Sequence, residues 1–270
     1  MATDTGNFDD SLILAVETSG RLGSVVLAQG DKLMSETRFS GPMRHSAEIF
    51  PAITDLLSKF DKKPDQIEQV YISAGPGSFT GLRIAVTFAK TLALANGAKI
   101  VAVDTLDVIA ANVIDFAPSS PLSQLNTQHG AKRRARFGNS TLKTDDRLAV
   151  ILDAKRGQFF IAVYEKPSHE SRATSDVSWH KVLPDSLMTA EDFLSQFSDK
   201  PIALIGEGLV FYKDKFAHKN ISVLDEKFWN PSAANIHKLG WQKAQLGEFA
   251  DPLTLTPNYI RGPDAIVKQR

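Results

Sequence analysis

The fold is decided by two stretches that share one pattern: Leu12-Ile13-Leu14-Ala15-Val16-Glu17-Thr18-Ser19-Gly20, and Leu148-Ala149-Val150-Ile151-Leu152-Asp153-Ala154-Lys155-Arg156-Gly157. Each is an almost unbroken apolar run that ends in an acid, and a short glycine-containing turn follows it. A second apolar run comes next, at Ser24–Ala28 and at Phe159–Tyr164. Continuous apolar runs of this length are typical of strands that are covered on both faces. The repeated pattern indicates a duplicated α/β architecture.

Composition limits the function classes that need to be considered. The 270 residues include 31 basic and 31 acidic side chains, and no cysteine. Strong stand-alone binding to nucleic acids or membranes depends on a net positive field, so a neutral chain argues against both. The lack of cysteine excludes disulfides, thiolate nucleophiles and cysteine metal sites. The run Leu12–Val16 is too short for a signal peptide or a membrane span, and we predict a soluble, cytoplasmic protein.

The first half, residues 11–115, is expected to form one lobe. Its predicted strands are Leu12–Val16, Ser24–Ala28, Leu33–Phe39, Val70–Ala74 and Lys99–Val103, followed by a short helix near Leu106–Val113. Ser46 is predicted to cap a helix over residues 46–60, in which Pro51 should produce a kink. A second helix, Leu82–Ala95, ends at Asn96-Gly97 and is apolar on nearly all sides, which predicts burial on several faces.

The second half begins after a change in composition. Residues 116–147 are rich in Ser, Pro, Asn, Gly and basic residues and have little apolar periodicity, which predicts an insertion or a flexible loop. Residues 148–270 are expected to form the second lobe, whose last residues are candidates for a return to the first. Its further predicted elements are the helix Thr189–Phe197, the strand Ile202–Ile205, the turn Gly206-Glu207-Gly208 and the helix Pro231–Leu246.

The loop Gly75–Gly81 lies between a predicted strand and a predicted helix and leaves two interpretations open. Its glycines and the unpaired N–H groups of the helix start fit an anion or nucleotide-phosphate site. They fit equally well a turn that Ser78 or Thr80 caps, with glycines for geometry alone. A dinucleotide fold with Asp104 on a ribose is disfavoured, because the spacing Gly-x-Gly-x-x-Gly is absent. The endings typical of a P-loop and of a hydrolase nucleophile elbow are absent as well.

The histidines do not predict a metal site. They stand at positions 45, 129, 169, 180, 218 and 237, and none is three or four residues from another. His45 is expected to pack against the neighbouring turn or to form a hydrogen bond with it. One dense basic run, residues 132–136, fits a solvated loop or an RNA contact within a larger assembly.

The nine residues Gly75–Arg83 resemble the signature of the TsaB (YeaZ) family. The likeness extends to Leu14–Ser19, His45-Ser46 with Pro51, Val101–Val103 before Leu106, Asp153–Gly157 and Pro257–Arg261. It is close over residues 11–113 and looser beyond them. The family has the two-lobed fold of actin, Hsp70 and the sugar kinases (the ASKHA fold), with duplicated mixed sheets and flanking helices. That implied fold agrees with the duplicated pattern of the sequence.

The resemblance also implies where degenerate nucleotide loops would lie. The candidates are Glu17, Thr18, Ser19, Asp153, Lys155, Gly157, Gly206 and Gly208, and the signature loop adds Gly75, Gly77, Ser78, Thr80, Gly81 and Arg83. In the related catalytic subunit TsaD two histidines bind a metal, but Thr105 and Ile109 stand at those positions here, and neither replaces an imidazole. The resemblance therefore implies no metal and no catalytic residue. No tightly bound cofactor is expected, and ATP or ADP could bind at the interface of a complex.

The resemblance implies a partner subunit in tRNA threonylcarbamoyladenosine biosynthesis. Such a subunit supports catalytic TsaD, works with the ATPase TsaE and meets tRNA only through the complex. Its partner surface maps to helices 46–60 and 82–95, with candidates Ile49, Ile53, Leu56 and Leu57. An exposed apolar patch of this kind predicts a homodimer in isolation. The alternative function is a nucleotide-dependent ATPase or switch that uses the cleft between the three loops.

Overall fold

A computed structural model describes residues 10–115, 147–166 and 179–261. Within these ranges the chain forms two five-stranded sheets. The first comprises β1 (Leu12–Glu17), β2 (Ser24–Gln29), β3 (Lys32–Arg38), β4 (Gln69–Gly75) and β5 (Lys99–Asp104), and the second comprises β6 (Arg147–Asp153), β7 (Gln158–Glu165), β8 (His180–Thr189), β9 (Ile202–Ile205) and β10 (Ile221–Val223). The helices are α1 (His45–Lys59), α2 (Phe79–Asn96), α3 (Thr105–Ala110), α4 (Ala190–Phe197), α5 (Leu209–Tyr212) and α6 (Ala233–Gln245). The predicted insertion lies outside the described residues except for Arg147.

The two sheets have the same topology. The first has the order β3-β2-β1-β4-β5, and the second has the equivalent order β8-β7-β6-β9-β10. In each sheet three antiparallel strands are followed by two strands that run parallel to the first. This repetition confirms the predicted duplicated, two-lobed α/β fold.

The central strands are apolar throughout because helices cover the first sheet on both faces. Alternate residues of a strand point to opposite faces. Leu12, Leu14 and Val16 accordingly lie in the core beneath α1 and α2, whereas Ile13 and Ala15 lie in the core beneath α6. Each of these five side chains is at most 5% exposed.

The lobes exchange helices. Although α6 comes from the second half of the chain, it packs on the first sheet, where Ile236 lies in the core with Tyr71. Conversely, α3 follows the first sheet but contributes Leu106 and Ile109 to the core of the second. The chain remains with the first lobe after α6, since the Asn258 N–H donates to the Ala74 carbonyl at 2.7 Å. The return to the first lobe thus begins at α6.

Helix boundaries and burial differ from the predictions in three places. Helix α1 begins at His45 and has no side-chain cap, so the predicted cap at Ser46 is wrong. Helix α2 begins three residues earlier than predicted, because the Ser78 hydroxyl accepts the Gly81 N–H at 3.3 Å, and it ends at Gly97 as predicted. The expected burial of α2 on several faces is wrong, since Leu94 is 72% exposed. Strands β8 and β10 were not predicted. No helix within the described ranges has the length and apolarity needed to cross a bilayer.

Candidate functional site

A cleft of about 600 Å³ lies between the lobes. The loop after β1 and the loop before α2 form its wall in the first lobe, and the β6–β7 turn and the turn before α5 form its wall in the second. Its larger lining side chains are Arg21, Met43, Phe79, Leu82, Asp153, Lys155, Arg156, Phe160, Glu207, Phe211, Tyr259, Ile260 and Arg261.

The loop after β1 is held by the carboxylate that ends the strand. Glu17 is fully buried, and it accepts hydrogen bonds from the backbone N–H groups of Ser19 and Gly20. The hydroxyls of Ser19 and Ser73 donate to it as well. Burial raises the pKa of Glu17, and these hydrogen bonds oppose the shift. The acid that ends β1 therefore organises its own loop.

His45 supports the same loop from the start of α1. Its Nε2 lies 2.9 Å from the Gly20 carbonyl oxygen, so Nε2 carries the proton and donates it there. The ring is buried, and its Nδ1 has no hydrogen-bond partner among the described residues. Burial lowers the pKa of His45, which favours the neutral ring. The hydrogen bond is therefore made to the loop after β1, 25 positions earlier in the chain, and not to the turn next to His45 as expected.

A second carboxylate reaches the loop from the other lobe. The Arg21 N–H donates to Oε1 and Oε2 of Glu207, at 2.9 and 3.2 Å. Burial raises the pKa of Glu207, and the charge of Glu17 raises it further. Glu207 was recognised in the sequence as part of a turn but not as a site residue. The sequence feature that could have identified it as a site residue is its position between two glycines.

The second lobe has the equivalent arrangement after β6. Asp153 accepts the Lys155 N–H at 2.8 Å through Oδ1 and the Lys155 ammonium at 2.7 Å through Oδ2. Lys155 and Arg156 have positive φ angles of 66° and 55° and Gly157 follows at 75°, so the turn is tight and left-handed. The turn places Lys155 and Arg156 at the cleft, whereas Gly157 does not line it.

The glycines of the loop before α2 allow close contact with the loop after β1. A Cβ atom on Gly77 would lie 2.7 Å from the Ser19 carbonyl oxygen, and one on Gly81 would lie 1.8 Å from that of Thr18. The Ser78 N–H donates to the Ser19 carbonyl at 2.8 Å, and the Thr18 hydroxyl donates to the Gly81 carbonyl at 2.8 Å. Of the two open interpretations, the capped turn with glycines for geometry accounts for these contacts.

Apart from Thr80, the predicted site residues divide into three groups. Ser19, Gly77, Ser78, Asp153 and Lys155 line the cleft; Glu17, Thr18, Gly75, Gly81 and Arg83 support its first-lobe loops; Gly157, Gly206 and Gly208 shape turns of the second lobe without lining it. Thr80 is exposed in the first turn of α2 and does not line the cleft. The C-terminal segment was missed as part of the cleft. Tyr259 lies against Phe79, with ring centroids 5.2 Å apart, and Arg261 donates to the Ala154 carbonyl at 2.7 Å.

The four predicted partner-contact residues do not present a surface. Ile49, Ile53, Leu56 and Leu57 are each at most 6% exposed and belong to the core between α1 and the first sheet. Their spacing along the helix places them on the face that packs inward. The prediction of these residues is therefore corrected, and any contact made by α1 must use its other face.

The residues at the positions of the metal ligands of TsaD are also internal. Thr105 and Ile109 are fully buried, and Ile109 packs in the core of the second lobe. Across residues 10–115, 147–166 and 179–261, no group of three or more His, Cys, Asp or Glu side chains is arranged to hold a metal ion. Two lobes of one topology, with their loops facing a shared cleft, define the two-lobed ASKHA fold.

Known proteins resemble the chain over nearly its whole length. It is 28% identical over 261 residues to the tRNA threonylcarbamoyladenosine biosynthesis protein TsaB of Bacillus subtilis (strain 168), covering 95% of this chain and 96% of that protein. It is 23% identical over 252 residues to the protein of the same name from Escherichia coli (strain K12), covering 92% and 94%. The chain is thus similar to the TsaB (YeaZ) family over nearly its whole length.

Two further comparisons agree with this similarity. The family model described as TsaD, tRNA N6-adenosine threonylcarbamoyltransferase, matches residues 42–125. The structure of YeaZ from Pseudomonas aeruginosa superimposes with a TM-score of 0.68 at 19% sequence identity, covering 92% of this chain and 99% of that one. The structural match supports the two-lobed fold.

Proposed function

We propose that the chain is a supporting subunit in tRNA threonylcarbamoyladenosine biosynthesis, which binds a TsaD-type transferase and leaves the chemistry to it. The names of its TsaB relatives support the pathway. The match of residues 42–125 to the TsaD family model supports a common origin of this lobe and the transferase. The relatives' names and the family-model match both concern related proteins. The residues proposed to make the contact are identified from the structure of this chain.

An uncharged face on α1 and α2 is the observation that carries the proposal. Its exposed or half-buried residues are Ala47, Phe50, Pro51 and Thr54 on α1 and Ile84, Thr87, Phe88 and Thr91 on α2. Phe50 is 62% exposed, and its ring meets that of Phe88 edge-on with centroids 5.9 Å apart. None of these eight neighbouring positions carries a charge, although charged residues make up 23% of the chain. Such faces are typical of protein–protein contacts.

The cleft favours a supporting role over a catalytic one. Asp153 and Glu207, which line it, and Glu17, which supports its first-lobe loop, are engaged with the chain's own backbone. The Ser19 hydroxyl donates to Glu17, and among the residues that the structure describes no histidine lines the cleft. A nucleophile needs an adjacent free base, and these groups do not supply one. We expect no tightly bound cofactor, with ATP or ADP only at the interface of a complex.

The same face would be covered in two ways. A second copy of the chain would cover it in isolation, and a TsaD-type subunit would replace that copy in the working complex. A TsaE-type ATPase and tRNA would then join through the complex, since the neutral chain has no net charge to attract tRNA by itself. These four associations, with a second copy, a TsaD-type subunit, a TsaE-type ATPase and tRNA, belong to one proposal.

Affinity capture with the TsaD-type subunit of the same organism tests this proposal. Phe50→Glu places a charge at the centre of the uncharged face and should abolish both capture and homodimerisation. Val182→Glu is the matched control, because Val182 is 48% exposed on β8 of the other lobe, and it should leave both unchanged. Undiminished capture by folded Phe50→Glu protein would place the interface elsewhere.

The alternative, a nucleotide-dependent ATPase or switch, has one observation in its favour. Arg21, Lys155, Arg156 and Arg261 all line the cleft and could face an anion. However, Lys155 already pairs with Asp153, and Arg261 already binds the Ala154 carbonyl. Calorimetry with Mg-ATP on the isolated chain separates the two functions. Micromolar binding with turnover would support the alternative and contradict the supporting role.

A further inference from the structure

We propose that Glu207 is a built-in anion, which occupies the loop after β1 in place of a phosphate and latches the two lobes together. The ASKHA fold implies an ATP site in this cleft, but the residues present do not fit one. This inference concerns the chain alone and does not depend on whether it binds a TsaD-type partner.

The contact itself has the geometry of anion binding. Both oxygens of Glu207 accept the Arg21 N–H, at 2.9 and 3.2 Å. Backbone N–H groups of a glycine-containing turn are the donors that bind phosphate oxygens in proteins. Here the Arg21 N–H donates instead to the carboxylate of Glu207, which belongs to the other lobe. Because Arg21 and Glu207 belong to different lobes, the hydrogen bond also joins the lobes.

The two glycines beside Glu207 fix its position. Gly206 has φ of +118°, and a Cβ atom on it would lie 2.3 Å from the Ile151 carbonyl oxygen. The Gly208 N–H donates to the same oxygen at 3.0 Å. The turn is therefore held against β6, and the side chain of Glu207 is directed at the opposite loop. The two glycines of Gly206-Glu207-Gly208 thus allow the turn to pack on β6, and the acid between them contacts the opposite loop.

Other donors of both loops are also bound to carboxylates of the chain itself. Glu17 accepts the N–H groups of Ser19 and Gly20 in the first loop. Asp153 accepts both the N–H and the ammonium of Lys155 in the second loop. Each loop that could bind phosphate is thus bound to a carboxylate of this protein. Nucleotide phosphate would have to displace the buried hydrogen bonds of Glu17 in the first loop and the exposed ones of Asp153 in the second.

Space and charge oppose phosphate at the same point. A Cβ atom on Gly20 would lie 2.9 Å from the Pro231 ring and 3.0 Å from Glu207 Oε1, so the loop is already in close contact with its neighbours. Burial raises the pKa of Glu207, and the charge of the nearby Glu17 raises it further. A phosphate group would add further negative charge to this pair.

Amide hydrogen exchange and phosphate titration, followed by NMR on ¹⁵N-labelled full-length protein, test the proposal. In Glu207→Ala, exchange at the Arg21 amide should rise at least tenfold, and millimolar inorganic phosphate should shift the amides of residues 19–21. Glu207→Gln keeps a neutral acceptor and should show a smaller rise in exchange. The control Glu226→Ala removes an exposed acid of the same lobe and should match the wild type, which should show no phosphate shift.

Three outcomes would overturn the proposal. The first is a phosphate- or Mg-ADP-dependent shift of the Ser19–Arg21 amides in the wild type. The second is wild-type exchange at Arg21 in both Glu207 variants. The third is faster exchange in Glu207→Ala without any shift on adding phosphate. If Glu207→Ala does not fold, the Glu207→Gln exchange rate and the wild-type titration still decide the question.

Discussion

The side chain of Arg83 ties the loop before α2 to Tyr259, 176 positions further along the chain. Its Nε donates to the Tyr259 hydroxyl at 3.2 Å, and its Cζ lies 3.8 Å from the centre of the Phe79 ring. The Phe79 and Tyr259 rings lie against each other, with centroids 5.2 Å apart. Two sequence motifs, residues 75–83 and 257–261, thus form one cluster. The cluster holds the C-terminal segment across the cleft.

Loss of the Arg83 guanidinium should weaken this attachment. We expect Arg83→Ala to lower the free energy of unfolding by about 1 kcal/mol, since it removes a hydrogen bond and a cation–π contact. Tyr259→Phe retains the ring and should cost about half as much. Arg38→Ala is the control, because the Arg38 side chain is 77% exposed. Urea unfolding followed by circular dichroism measures all three, and equal effects of Arg83→Ala and Arg38→Ala would contradict the assignment.

A charge on the buried face of α1 should destabilise the protein far more than a charge on its exposed face. Ile53 is 6% exposed in the core, so Ile53→Glu should cost about 3 kcal/mol or more by burying an unpaired carboxylate. Phe50 is 62% exposed, so Phe50→Glu should change the stability of the monomer by about 0.5 kcal/mol or less. Thermal unfolding at low protein concentration measures both. A stable Ile53→Glu protein would show that α1 is packed differently.

The glycine at position 81 should be needed for packing. Gly81→Ala would place a methyl group 1.8 Å from the Thr18 carbonyl oxygen, and we expect a loss of about 3 kcal/mol or a failure to fold. Gly41→Ala is the matched control, because its nearest neighbour would be the flexible Arg44 side chain at 3.6 Å. Soluble yield and urea unfolding distinguish the two variants. Equal stability would mean that the loops are further apart than described.

A cluster of charges between the lobes should make stability depend on pH. The Lys181 ammonium lies 2.6 Å from Asp185 Oδ1 and 2.7 Å from Asp107 Oδ1, and the Tyr164 hydroxyl donates to Asp107 at 2.7 Å. Burial raises the pKa of Asp185 from 3.8 to about 6; the charge of Lys181 opposes this shift, and the charges of Asp104 and Asp107 add to it.

The sign of this pH dependence follows from the raised pKa. Because folded Asp185 holds its proton more tightly than unfolded Asp185, the resulting stabilisation is complete below pH 3.8 and is lost as the pH rises through about 6. Relative to Asp185→Asn, the wild type should lose on the order of 2 kcal/mol from about pH 4 to about pH 7. Asp55→Asn, at an exposed position of α1, is the control. A difference between wild type and Asp185→Asn that is constant with pH would contradict the assignment.

The duplicated fold could be predicted from the sequence because each buried strand is recognisable from a short, continuous run of apolar residues. Apart from Arg147 at the start of β6, strands β1 and β6 are apolar up to the acid that ends each of them. Both strands were predicted to within one residue. Strand β8 was missed because it lies at the edge of its sheet, contains Pro184 and has no fully buried residue. Edge strands have one paired side and weaker apolar patterning, so their sequence resembles that of a loop.

The cleft and the partner face were less predictable because they depend on contacts between distant residues. The Arg21–Glu207 hydrogen bond joins positions 186 residues apart, and no local pattern pairs them. The regularly spaced apolar residues of α1 were predicted to contact the partner, but that spacing marks the side of the helix that packs in the core. The residue that indicates the proposed partner face is Phe50, an aromatic residue outside that spacing, and its exposure depends on how the helix packs.

The central claim is that the chain supports threonylcarbamoyl transfer without performing it. Its most direct test is the transfer of a threonylcarbamoyl group from its adenylate to tRNA, measured with purified components from one organism. We predict no modified adenosine with the chain alone, modification with TsaD-type and TsaE-type partners present, and loss of most activity when the chain is omitted. Modification of tRNA by the chain alone, or full activity of the partners without it, would contradict the account.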